Sequence, residues 1–160
     1  MKEIHQYGVV GFFNGDAKDG LCAAGACLIL NDSHIYTFRL HCVSGLNMKA
    51  ELLTLWCLCK VASIFGIFTL IVYGDSRVTI KCARGDFNLN VASLLLWCNK
   101  ILEELKKSNL INFFNIFREH NQLAERSSEL AMQGNEGILY WEEFLENSHT
   151  SSGSLYMFGF

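Results

Sequence analysis

Four polar positions stand where an apolar run ends or a helical pattern begins. Asn14 ends Val9-Val10-Gly11-Phe12-Phe13, and Asp75 ends Leu70-Ile71-Val72-Tyr73-Gly74. Glu51 lies in Lys49-Ala50-Glu51-Leu52-Leu53, and Glu125 follows Arg118-Glu119-His120-Asn121. Carboxylates gathered at strand ends and helix starts are what hard divalent cations need, and two such ions can act on a phosphodiester. Asn14 puts a neutral amide where that chemistry wants a charge, which predicts an impaired site. Taken singly, Glu51 could serve only a helix dipole and Asp75 only a helix cap.

The elements that must position these residues follow from pattern. Tyr7 to Phe13, Cys22 to Leu30 and Ile35 to Cys42 read as three strands, with hairpin chemistry at Asn31-Asp32-Ser33. Asn47 can cap a helix through Ser63, with Leu52, Leu55, Trp56, Cys59 and Ala62 on one stripe. Phe68 to Tyr73 reads as a strand buried on both faces, and Ser76 to Ala83 as a short helix. Val91 to Lys107 reads as a longer helix with Leu95, Cys98, Leu102 and Leu105 inward. Leu110 to Phe117 is a fifth strand and Asn121 to Met132 a last helix. The order βββ-α-β-αα-β-α predicts an α/β domain with a mixed five-stranded sheet flanked by helices. Residues 1–147 form that domain, and 148–160 reads as a flexible tail with an apolar end.

The 160 residues suffice for one domain, and 51% hydrophobic against 18% charged content describes a globular chain. A net charge of −3 argues against a strongly basic nucleic-acid binder. The seven cysteines are irregularly spaced and read as small hydrophobes rather than a disulfide or zinc framework. No signal-peptide core or membrane-length apolar run occurs, so the expectation is an intracellular protein of nucleus or cytoplasm with no membrane partner.

The motifs resemble the ribonuclease H domains of plant retrotransposon-derived proteins. The likeness rests on Phe12-Phe13-Asn14-Gly15-Asp16-Ala17, Ala24-Gly25-Ala26, Asn47 to Trp56, Gly74 to Ile80, and Arg118-Glu119-His120-Asn121-Gln122-Leu123-Ala124-Glu125. The resemblance implies a ribonuclease H-like fold and Mg²⁺- or Mn²⁺-dependent cleavage of the RNA strand in RNA–DNA hybrids. It implies catalytic roles for Glu51, Asp75 and Glu125, a metal-ligand set of Asn14, Glu51, Asp75 and Glu125, and a proton-transfer role for His120; Asp16 joins the candidate metal ligands on strand geometry alone. A solvated turn histidine is the competing reading of His120.

The departures matter. Position 14 should bridge two metals, and Asn14 is neutral. Glu125 is one methylene longer than the family's Asp. A second register, on Glu129-Leu130-Ala131, would put Ser128 at the acid position instead. Asp16 shares a strand face with Asn14 and is a candidate source of the missing charge. The expectation is a degenerate domain that binds nucleic acid or a protein, the latter through the tail Leu155 to Phe160. The alternative is an active nuclease. Phe12, Phe13, Phe113, Phe114 and Phe117 are expected in the core.

Overall fold

A computed structural model describes residues 9–42, 47–67, 69–85, 92–106, 110–132 and 137–156. Strand β1 (Val9–Lys18) turns through Asp19 and Gly20, both at positive φ, into β2 (Leu21–Asn31). Two left-handed residues match the twist of a two-residue hairpin, and Asp-Gly tolerates them. β1 therefore continues past Asn14, which lies within the strand and not at its end. The next turn is held by Asn31 Oδ1, which accepts from Ser33 N at 2.9 Å and Ser33 Oγ at 3.0 Å. It leads into β3 (His34–Cys42).

Helix α1 (Asn47–Ile64) is followed by β4 (Thr69–Gly74), α2 (Arg77–Arg84), α3 (Ala92–Leu105) and β5 (Leu110–Asn115). A single 3-10 turn (Arg118–His120) then precedes α4 (Gln122–Ala131). The expected ends at Tyr7, Phe68, Val91 and Lys107 lie outside the described residues, and Phe117 lies beyond the end of β5. β1 pairs antiparallel with β2 and parallel with β4, which pairs parallel with β5.

Among the described residues the sheet has seven strands, not five, in the order β5-β4-β1-β2-β3-β6-β7. The added pair is β6 (Ile138–Leu145) and β7 (Ser148–Tyr156), joined through Glu146 and Asn147 at positive φ. Ser148 to Ser154 is thus strand rather than flexible tail, and Leu155 and Tyr156 belong to β7; residues 157–160 lie outside the described residues. Two features hold β7 in place. Glu143 of β6 takes hydrogen bonds from Ser151 Oγ at 2.7 Å and Tyr36 Oη at 2.8 Å, with His34 Nε2 at 2.6 Å. Gly153 lies under Trp141, where an added Cβ would sit 2.7 Å from the indole.

α1 packs on one face of the sheet and α4 on the other. Leu52, Leu53, Leu55, Leu58 and Val61 are all essentially inaccessible, as expected for a helix held between the sheet and α3. In α3, Cys98 and Ile101 are buried, whereas Leu95, expected inward, faces solvent. The helix is turned so that Glu104 meets Lys60 of α1 at 3.2 Å. Cys82 of α2 and Cys98 of α3 form a disulfide, which corrects the reading of all cysteines as free. Cys22, Cys27, Cys57 and Cys59 are buried, as expected of small hydrophobes. No helix among the described residues is long and apolar enough to cross a membrane.

Candidate active site

Two glycines let the site assemble. A Cβ on Gly15 would lie 2.3 Å from the Ala50 carbonyl carbon, so the start of α1 rests directly on β1. A Cβ on Gly25 would lie 2.2 Å from Ser128 N, so the α4 backbone rests directly on β2. Polar ties complete the clamp. Asn121 Nδ2 donates to the Phe13 carbonyl at 2.8 Å, and the Thr54 hydroxyl lies 3.2 Å from the Asn14 carbonyl.

Asn14, Asp16, Glu51, Asp75 and Glu125 then line one cleft of about 530 Å³. Its rim carries Arg77, Phe117 and Arg118. Asn14 and Asp16 share a strand face, as the alternation requires. Ser76, not Asp75, caps α2, accepting from Thr79 N at 3.3 Å, so helix capping does not account for Asp75. His120 is exposed in the 3-10 turn and does not line the cleft.

Glu51 is the group under greatest electrostatic load. Burial pushes its carboxyl up to about 8, and the charges of Asp75 and Asp16 push the same way. The Gly15 N–H and the Arg118 charge oppose it. Glu51 Oε2 is buried without a hydrogen-bond partner. Glu125 is gripped by Arg118, with Nη2 at 2.6 Å and Nε at 3.1 Å from Oε1. Among the described residues no three acidic, His or Cys side chains group closely enough to hold an ion by themselves.

Asn14 is 7% exposed and is tied to Ser128, its Nδ2 donating to Ser128 Oγ at 2.8 Å. Ser128 is fully buried on α4 and Glu125 reaches the cleft, so Glu125 occupies the wall and Ser128 lies beneath it. Sequence reasoning missed the Asn14–Ser128 contact, the Arg118–Glu125 pair and the rim. Of the phenylalanines expected in the core, Phe13 and Phe113 are buried, but Phe114 and Phe117 are 45% and 75% exposed.

Comparison with known proteins agrees with this fold. The model of the reverse transcriptase-like family matches residues 12–131. RNase H1 from the halophilic archaeon Halobacterium salinarum superposes with a TM-score of 0.74 at 22% identity, covering 78% of this chain and 97% of that one. The N-terminal RNase H domain of a Mycobacterium tuberculosis protein gives 0.70 at 20% identity, covering 78% and 93%. LC11-RNase H1, solved in complex with an RNA/DNA hybrid, gives 0.69 at 17% identity, covering 78% and 96%. With the family's motifs in order along most of its length and the sheet and helices to match, the chain belongs to the reverse transcriptase-like family and has the ribonuclease H-like fold.

Proposed function

We propose that the domain binds RNA–DNA hybrid or RNA in this cleft and cuts it poorly or not at all. The observation that carries the reading is Asn14, an amide engaged with Ser128 where the chemistry needs a charge between two cations. Arg77, Arg118 and exposed Phe117 on the rim suit phosphate contact and base stacking. A fold neighbour has been solved holding a hybrid, which supports nucleic acid over a protein partner.

The donor set fits a divalent ion. All five side chains offer oxygen, the preference of Mg²⁺ and Mn²⁺, and the unpartnered Glu51 Oε2 is an atom a cation would satisfy. Glu51 and Asp75 would hold the ion, which would then keep several of its waters. Bound there, it would supply positive charge against a phosphate. Neither Asn14 nor Glu125 adds free negative charge, the first being neutral and the second shared with Arg118. One hydrated ion suits this cleft better than a bridged pair.

The alternative, an active nuclease, draws on Asp16, which lines the same cleft. Hybrid binding and hybrid cleavage by wild type, Asn14→Asp and Asp16→Ala separate the two. Wild type is expected to bind hybrid and cut it at least about a hundredfold more slowly in Mg²⁺ than Asn14→Asp, the scale of one lost electrostatic stabiliser. Rapid cutting by wild type that disappears in Asp16→Ala would establish the nuclease instead. Failure of wild type to bind hybrid would end both readings.

A further inference from the structure

The Ser128 hydroxyl has a single proton, and it goes to the Glu125 carbonyl oxygen at 2.8 Å. Toward any other partner Ser128 Oγ can only accept. Asn14 meets it at 2.8 Å, and only the nitrogen end of a carboxamide donates. The hydrogen bonds therefore fix which way the amide faces: Nδ2 is spent on Ser128, and Oδ1 is turned away from it. We propose that Ser128 is a positioning residue that keeps the NH₂ of Asn14 out of the cleft and gives the cleft its carbonyl oxygen.

The alternative orientation would have a different chemistry. A freely turning Asn14 would offer N–H groups to the neighbouring carboxylates. It would occupy their lone pairs by hydrogen bonding and compete with any cation. Glu51 Oε2 agrees with the fixed orientation, since Glu51 lines the same cleft and this buried atom receives no donor. Ser128 can act this way because Gly25 admits the α4 backbone at that level of β2. The cleft is thus lined by acceptors at Asn14, Asp16, Glu51 and Asp75, although only three of these four side chains are acidic.

The orientation stands on hydrogen-bond geometry alone, and its value to a cation rests on the function proposed above, so the test reads the two separately. In the full chain labelled with ¹⁵N, side-chain NH₂ exchange at Asn14 is expected to be at least about tenfold slower than at exposed asparagines, the scale of one net hydrogen bond. Ser128→Ala is expected to remove that protection and to weaken Mn²⁺ binding, measured by electron paramagnetic resonance, by about tenfold. Ser128→Thr, which keeps the hydroxyl, is expected to retain the protection. An unprotected Asn14 amide in wild type overturns the inference without any variant, and so does protection that survives Ser128→Ala. Protection lost with Mn²⁺ affinity unchanged supports the role of Ser128 and overturns the cation reading of the cleft.

Discussion

Glu51 makes the stability of this protein depend on pH in a direction opposite to most carboxylates. Its folded-state value near 8 lies above the ordinary 4.5, so between these values the folded chain holds a proton that the unfolded chain has released. The contribution of Glu51 to stability is greatest below about pH 4.5, falls as pH rises toward 8, and levels off above. Denaturant titrations of wild type across that range should show a loss on the order of a few kcal/mol, since each tenfold change in proton affinity is worth about 1.4 kcal/mol. Glu51→Gln should flatten the profile and leave the protein more stable than wild type at about pH 9, where the wild-type carboxylate is charged. A profile that is the same in both proteins would show that the carboxylate is not under this load. Glu51, Asp75, Asn14 and Glu125 were legible as a set because each sits in its own local motif. The bond between Asn14 and Ser128 was not, because the partners are 114 residues apart and neither motif signals the other.

At the scale of elements, the β6–β7 hairpin is held by side-chain chemistry more than by propensity. Glu143 is drawn down to about 2 by hydrogen bonds from Ser151, Tyr36 and His34. Here the ordinary sign applies: the stabilisation is complete above about pH 4.5 and is lost as pH falls toward 2. Glu143→Gln should therefore lower stability near neutral pH and reduce the difference between about pH 7 and about pH 3, read by thermal melts at the two values. Gly153→Ala sets a methyl against Trp141 at 2.7 Å and should cost roughly 1–3 kcal/mol, the usual penalty of overpacking, with a change in tryptophan fluorescence. A variant as stable as wild type would mean that Trp141 has another place to go. The hairpin escaped sequence reading because Ser, Thr and Gly in 148–154 have the composition of a linker. Their use as hydroxyl donors and as space for an indole depends on strands distant in the chain. The face of α3 was read only in part for a related reason: Cys98 is buried as expected, but Leu95 suits the apolar spacing as well as Ile101 does, and only packing decides between them.

For the whole molecule, the cleft and the added hairpin lie toward opposite edges of the sheet. The cleft lies around β1, β4 and α4, and β6 and β7 extend the opposite edge, beyond the residues that the family model matches. Removing residues 148–160 would uncover Trp141 and Leu139 and take the Ser151 donor away from Glu143. It should lower the melting temperature by several degrees, as a loss of about 1–2 kcal/mol does in a domain of this size, and leave hybrid affinity within about twofold, as expected for independent regions. Loss of hybrid binding in a folded truncation would show that the added strands belong to the recognition surface. Fold class was readable in advance because the meander and the crossover helices follow from apolar periodicity. The Cys82–Cys98 bridge was not, since sixteen residues separate cysteines that lie in ordinary apolar patterns.

The seat of α4 on Gly25 has a mechanical consequence. Where two elements meet through side chains, small changes of rotamer let one slide or rise against the other. At Gly25 backbone meets backbone, and no rotamer exists to adjust. The spacing between helix and sheet is set there as if by a spacer of zero thickness. The wall that carries Glu125 is therefore stiff, and a ligand meets a surface whose ordering cost was met during folding. On the proposed function, the bending falls to the nucleic acid.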